Sequence, residues 1–341
     1  MRIFMKIQLR HNFEEIIGLE NLLEAWKEFV SGKRNKKDVQ IFQMRLMDKL
    51  FSLHNDLLHH TYKHGGYQAF KINDPKPRDI HKAKVRDRLL HHAIYRKLYP
   101  FFEKTFIADS FSCRLDKGTH KSINRFREFS RIVGKNNTRT CWILKCDIRK
   151  FFANIDHAIL IEFLREYISD KDIMWLLGEV VNSFNTKGKT DAGLPLGNLT
   201  SQLFVNVYMN KFDQFAKHRL KAKCYIRYAD DFVIFSEDKD YLENIIPKIS
   251  EFLQKELKLE LHPDKVFIKT LASGVDFLGW ISFPDHRVLR TTTKRRMMKR
   301  IKNNPARETL DSYLGLLGHG NAGKLKSNCH MFYYLHQQEI L

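Results

Sequence analysis

Cysteine, proline and long apolar runs are all scarce in this 341-residue chain. Its cysteines (Cys113, Cys141, Cys146, Cys224 and Cys329) are odd in number and scattered, with no C-x-x-C pair. That pattern excludes a disulfide scaffold and a zinc ribbon. Sixteen histidines do not restore a zinc reading, because pairs such as His59-His60 and His91-His92 lack cysteine partners at ligand spacing. Only eight prolines are present, and no Gly/Ser-rich tract, so flexible linkers and low-complexity tails are not expected. The opening MRIFMKIQLRHNF has no run suited to a signal peptide, and no apolar stretch of 18 residues occurs. A reducing cytoplasm without a membrane anchor is the resulting expectation. No internal repeat is visible.

Positive charge and aromatic side chains are abundant instead. Lys and Arg number 59 against 39 acidic residues, a net charge of +20. Such an excess costs self-repulsion and is best sustained against a polyanion, nucleic acid first and an anionic membrane second. A hydrophobic content of 43% and 12% aromatics support a real core rather than a disordered chain. The length suggests about two lobes.

The N-terminal part reads as helical. Ile16, Leu19, Leu23, Trp26 and Val30 recur at steps of three and four, which predicts one helix stopped by Ser31-Gly32. A second helix is expected from about Val39 to Tyr62. YQAFKINDPKPRDIHKA then reads as a hairpin around Asn73-Asp74-Pro75, followed by a helical VRDRLLHHAIYRKL. Further on, TCWILKCDI is an apolar strand ending at an acid, and CYIRYADDFVIFS is a strand pair interrupted by two. Helices are expected over residues 158–168, 201–215 and 241–257, an extended segment over 274–283, and a basic helix beyond Arg290. This order predicts an α+β core with helical lobes packed around one cleft.

Asp147 ends one apolar strand, and Asp230-Asp231 interrupt another. Flanking Tyr225, Ile226, Phe232, Val233, Ile234 and Phe235 would bury whatever stands there, and an uncompensated buried carboxylate is very costly. A tight turn would lift the acids to the sheet edge, and divalent cations would cancel their repulsion. Oxygen ligands with no His or Cys nearby suit Mg²⁺ or Mn²⁺. A capped turn with solvated acids is the plainer alternative for an isolated Asp-Asp.

Y-A-D-D, preceded 83 residues earlier by K-C-D-I-R-K-F-F, resembles the catalytic palm of reverse transcriptases, with motifs in family order from about Arg78 to Trp280. The resemblance implies a right-hand polymerase: a helical N-terminal region over 1–66, fingers over 67–140, a palm with an RRM-like antiparallel sheet over 141–285, carrying a fingers insertion around 165–195, and a helical thumb over 286–341. It assigns catalysis to Asp147, Asp230 and Asp231, with two Mg²⁺ ions held by these acids and the Ile148 carbonyl, one activating a primer 3′-hydroxyl and the other clamping a dNTP. Phe152, five residues after Asp147, stands where the family places an aromatic that excludes a 2′-hydroxyl, while Phe151 reads as core.

The segment L-P-L-G-N-L-T-S-Q-L-F-V-N (194–206) discriminates further. Group II intron reverse transcriptases usually read P-Q-G and a later S-P, where this chain has Leu196, Gly197 and Gln202. G-N-L-T-S-Q, CDIRKFFANIDH and VDFLGW are similar to the enzymes of diversity-generating retroelements, which copy a template RNA with frequent errors at adenines. Leu196 can neither donate nor accept a hydrogen bond, so replacing a Gln there removes a polar check on the nascent pair. That resemblance implies a template RNA and RNA/cDNA hybrid as partners, a helical oligomeric accessory variability protein, and a bacterial or phage-infected cell. A retron-like, intron-derived or phage-defence enzyme is the runner-up, and a non-catalytic RNA-binding scaffold the reading from another class.

Basic residues supply the expected grip. Arg78, Lys82, Lys84, Arg86 and Arg88 fall where the family's fingers meet the triphosphate, with Arg78 and Arg86 preferred because a guanidinium binds phosphate oxygens in pairs. Lys265 in LELHPDKV resembles a lysine that approaches the triphosphate, and Arg114 a template-side finger residue. Gly279 in VDFLGW resembles the primer grip, where a glycine lets backbone approach. KRRMMKRIK (294–302) could turn Met297, Met298 and Ile301 inward and set Lys294, Arg295 and Lys299 along a duplex.

Overall fold

The computed structural model describes residues 7–73 and 77–337. Two compact units arise, each from three separate stretches of chain: one within Met1–Ala108, Ile148–Arg219 and Ile249–Leu261, the other within Asp109–Asp147, Leu220–Lys248 and His262–Leu341.

The first unit is mainly helical. The single helix expected over Ile16–Val30 is two, Phe13–Ile17 and Leu19–Val30, because Gly18 takes an extended ψ of 141° and its amide closes on the Glu14 carbonyl. The break resets the helical phase, so the buried face is Leu22, Ala25, Trp26, Phe29 and Val30, while Leu19 and Leu23 are half-buried. Asn21 is buried on that face with its polar atoms used: it donates to the Ile16 and Ala93 carbonyls and accepts from Arg96. The helix expected from Val39 to Tyr62 is likewise two, Lys37–Gln43 and Leu46–Leu58. It breaks at Met44-Arg45, where Arg45 leaves helical geometry and Met44 is 82% exposed. No glycine or proline marks this break, so apolar spacing alone ran through it.

Strands β1 (Tyr67–Ile72) and β2 (Arg78–Ala83) form the expected hairpin, pairing from Tyr67↔Ala83 to Ile72↔Arg78. The expected tip around Asn73-Asp74-Pro75 lies largely outside the described residues. Helix Val85–Glu103 follows, and helices His157–Arg165, Lys171–Asn182 and Leu199–Gln214 belong to the same unit, as does the C-terminal part of helix Lys239–Leu257.

The second unit holds a four-stranded antiparallel sheet of β3 (Trp142–Asp147), β4 (Tyr225–Tyr228), β5 (Asp231–Ser236) and β6 (Phe267–Thr270), ordered β4-β5-β3-β6. β3 and β5, the most apolar strands, are the central pair, as burial on both faces requires. Helix Thr119–Val133 packs Phe126 and Phe129 edge-on against Phe235. A small sheet, β7 (Val275–Phe277), β8 (Trp280–Ser282) and β9 (Arg287–Leu289), leads into helices Thr291–Asn303, Arg307–Leu317 and Gly323–Gln337. Met297, Ile301, Leu310, Leu317, Cys329 and Tyr333 from these helices share one core with the sheet residues Ile143, Val233 and Trp280. Gly320 is required there: a β-carbon would stand 2.1 Å from the buried Trp280 ring. Among the described residues, no helix is long and apolar enough to cross a membrane.

Candidate active site

The apolar run of β3 carries Asp147 to the end of the sheet, and antiparallel register sets it opposite Asp231 at the start of β5. Directly opposed residues in such a pair lie about 5 Å apart at Cα. On the other side of β5, Tyr228 pairs with Asp231, so Ala229 and Asp230 alone close the β4–β5 turn. Ala229 adopts φ 55°, a left-handed conformation that costs any residue with a β-carbon, and alanine presents the smallest. Three acids, drawn from two positions 83 residues apart, thus meet at one sheet end within the second unit.

Their electrostatics follow from that crowding. Burial, then the charge of Asp231 and to a lesser degree Asp147, raises the Asp230 carboxyl to about 6. Burial also raises Asp231, opposed by Lys145. Lys145 is itself buried and sets its Nζ 3.3 Å from Asp231 Oδ1, a position that leaves this oxygen without a directed hydrogen bond. Lys265 donates to Asp147 Oδ1 at 2.9 Å. Asp230 has no ion-pair partner among the described residues. The cluster is therefore short of positive charge, with one orphaned carboxylate oxygen and only oxygen donors, which fits a hard divalent cation. It is not a closed cage: among the described residues, no group of three or more His, Cys, Asp or Glu is arranged to hold an ion unaided.

Arg227, absent from the sequence reading, braces this turn. Its side chain is fully buried and donates to the Ala229 carbonyl at 3.2 Å and to Ser110 Oγ at 3.1 Å. Its backbone is held as well, donating to Asp109 O and accepting from Phe111 N. A charged residue inside YIRYADD was the available signal, as was Lys145 inside WILKCD. Arg114 donates to the Ser110 carbonyl at 2.7 Å, in the same loop. Gly279 and Leu278 close the β7–β8 turn with φ 88° and 52°. Glycine is needed at 279 for that φ, since a β-carbon there would meet only Thr293 Oγ1 at 3.7 Å. Lys294, Arg295 and Lys299 are exposed on helix Thr291–Asn303, whose Met297 and Ile301 point inward.

The remaining predicted residues belong to the first unit. Ile148 is buried and bridges Leu261. Phe151 is buried and Phe152 half-buried, and the Phe152 carbonyl accepts from Leu194 N. Leu196 O accepts from His81 N on β2, and a β-carbon on Gly197, at φ 102°, would stand 3.0 Å from Ile80. Phe152, the 194–197 loop and β2 are thereby brought together, with Arg78 exposed on β2 and Gln202 in the first turns of helix Leu199–Gln214. Arg86 pairs with Asp56 and lies 4.9 Å over the Tyr62 ring, and Lys82 pairs with Asp38, so both are engaged within the fold.

Residues 71–282 match the family described as reverse transcriptase (RNA-dependent DNA polymerase). The chain is 26% identical to protein YkfC of Escherichia coli over 81% of each chain. It is 25% identical to the group II intron-encoded protein LtrA of Lactococcus lactis, over 67% of this chain and 47% of that one. It is 23% identical to a putative COX1/OXI3 intron 2 protein of Saccharomyces cerevisiae, over 63% of this chain and 30% of that one. The chain thus spans less than half the length of these two intron proteins.

Proposed function

The chain belongs to the reverse transcriptase family of RNA-dependent DNA polymerases, and from that premise we propose that it extends DNA on an RNA template at Asp147, Asp230 and Asp231. The observation that carries this is the meeting of the three acids at the β3–β5 sheet end beside two lysines. In the family's α+β, fingers-palm-thumb fold, the segments 67–140, 141–285 and 286–341 are read as fingers, palm and thumb, with 1–66 ahead of them and an insertion around 165–195.

Asp147 and Asp230, with Asp231 and the Ile148 carbonyl, would hold two Mg²⁺ ions, whose bound chemistry is activation of a hydroxyl and charge neutralisation on a triphosphate. The chain's own residues set the rest. Asp230 is poised to ionise near neutral pH, and Lys265 can move from Asp147 to an incoming phosphate. Phe152 is read as excluding a 2′-hydroxyl, Arg78, Gly197 and Gln202 as facing the nucleotide, and Arg114, Gly279, Lys294, Arg295 and Lys299 as following the template and hybrid. Arg86, tied to Asp56 and Tyr62, is read as a brace of the fold rather than a nucleotide contact.

The finer reading is a diversity-generating enzyme that makes adenine-mutagenised cDNA from a template-repeat RNA with a helical accessory oligomer. Leu196 and Gln202 in L-P-L-G-N-L-T-S-Q support it. An intron-derived enzyme is the second reading, favoured by the names of the relatives LtrA and COX1/OXI3 intron 2 protein. One assay addresses both levels. Primed RNA is offered with dNTPs and Mg²⁺, Asp230→Ala serves as control, and the product is sequenced. Extension lost in the variant supports the polymerase. Adenine-directed errors that fall in Leu196→Gln support the diversity-generating reading, while faithful copying by the native chain favours the intron-derived one. No extension by the native chain overturns the proposal.

A further inference from the structure

The first unit contains a cavity of about 270 Å³ lined by Phe29, Lys33, Arg88, His91, His92 and the segment Gly197–Leu199 with Gln202. No acidic side chain lines it. Arg88, His91 and His92 fall at steps of three and four on helix Val85–Glu103, so one helical face supplies three nitrogen-bearing side chains. Lys33 comes from the turn after helix Leu19–Val30, and Asn198 is the N-cap of the 16-residue helix Leu199–Gln214.

The polar atoms here are left unanswered to a degree unusual for a buried site. His91 is 1% exposed, yet among the described residues neither ring nitrogen has a hydrogen-bond partner. Asn198 is 2% exposed; its amide donates to the His81 carbonyl at 3.0 Å, which leaves Oδ1 unpartnered. Arg88 gives one guanidinium nitrogen to Asp38 and keeps a buried Nε without an acceptor. The Lys33 ammonium donates to the Phe29 carbonyl at 2.8 Å and pairs with no carboxylate among the described residues. No side chain caps the first turn of helix Leu199–Gln214, whose free amides and dipole favour an anion. Burial lowers His91 to about 3 and His92 to about 4, so both rings are neutral and each offers one donor and one acceptor.

A cation-lined cavity without acids selects an anion, and orphaned acceptors on Asn198 and the imidazoles select hydroxyl or amino donors beside it. We propose that this cavity binds a nucleotide unit, its phosphate oxygens held by Lys33, Arg88 Nε and the first-turn amides of helix Leu199–Gln214, and its hydroxyl or amino groups by His91 and Asn198. Because Gly197 and Gln202 also line the cavity, the inference rests on reading that segment as nucleotide-facing. It adds Lys33, Arg88, His91, His92 and Asn198 to the nucleotide contacts, in a site that needs no divalent ion.

The test therefore excludes the carboxylate chemistry. The full chain, labelled at histidine and kept in EDTA, is titrated with inorganic phosphate, with adenosine monophosphate and with a short single-stranded oligoribonucleotide, while the His91 and His92 ring resonances are followed. Saturable shifts with any probe are expected, together with affinity at least about tenfold weaker in Lys33→Gln and weaker still in Lys33→Glu, since a charge-assisted contact is lost and then reversed. Shifts with the monophosphate indicate a free nucleotide as source, and shifts with the oligonucleotide alone a strand. If no probe moves either ring up to about 10 mM, or if both Lys33 variants bind as the native chain does, the cavity holds only water and the inference is overturned. A chain that binds these probes but fails to extend a primer with Mg²⁺ would retain this site and lose the polymerase reading.

Discussion

The β4–β5 turn and helix Thr291–Asn303 belong to the same unit and handle charge in opposite ways. At the turn, three half-buried acids are crowded onto one sheet end, with Lys145 and Lys265 against two of them and Arg227 fixing the backbone between. Along the helix, charges of one sign stand in water while Met297 and Ile301 do the packing. Buried charge must be answered atom by atom, because the cost of an unanswered group is large. Exposed charge is screened and its members substitute for one another. The turn should therefore be intolerant of single changes and the helix tolerant.

The largest effect expected is at the acids themselves. Asp147→Asn or Asp230→Asn should lower primer extension on the order of a thousandfold or more, measured in single-turnover assays. Retention of a tenth of the activity would break the contrast. Next comes Arg227→Met, which releases the Ala229 carbonyl and Ser110 while leaving Asp147, Asp230 and Asp231 unchanged. Displacement of the turn by a fraction of an ångström should reduce kcat about ten- to a hundredfold, with KM for dNTP little changed. Partial rescue by Arg227→Lys would mark a positioning role, whereas equal changes in kcat and KM would argue against one.

A third test sharpens the same contrast through stability. The folded Asp230 carboxyl titrates near 6, above its unfolded value of about 3.9. The native state therefore holds the extra proton, and stability falls as pH rises between those values. In EDTA, Asp230→Asn should be more stable than the native chain by about 2 kcal/mol at neutral pH. The advantage should fade below about pH 5, as urea melts at the two pH values would show. The smallest effects belong to the helix: Lys294→Gln, Arg295→Gln or Lys299→Gln should each weaken hybrid binding about two- to threefold and reduce the salt slope by about one. A tenfold loss from one of them would place it against a specific phosphate.

What the sequence disclosed follows the same division. Asp147, Asp230 and Asp231 were visible because acids inside apolar strands violate the local pattern, and strand register alone brings them together. The strand pair 224–236 and the helices near 158–168, 201–215 and 241–257 were visible through periodicity. Lys145 and Arg227 break that pattern too, yet their partners lie across strands or in the 109–111 loop, at separations that periodicity does not encode. The break at Gly18 had a glycine to mark it, whereas the one at Met44-Arg45 has neither glycine nor proline and is invisible to apolar spacing. The nitrogen-rich cavity joins residues from near 33, 90 and 200, and only the Arg88, His91 and His92 spacing could have hinted at it.

The sheet order gives the acids an additional property. β3 and β5 are flanked on both sides, whereas β4 and β6 form the edges. Cys146 and Phe232 stand opposite each other in the central β3–β5 ladder, so opening of that ladder, rather than fraying of β4 or β6, separates the strands that carry the acids. Breathing at the edges would leave Asp147 and Asp231 facing each other, so their pairing should outlast slow local openings and vanish only when the whole unit melts.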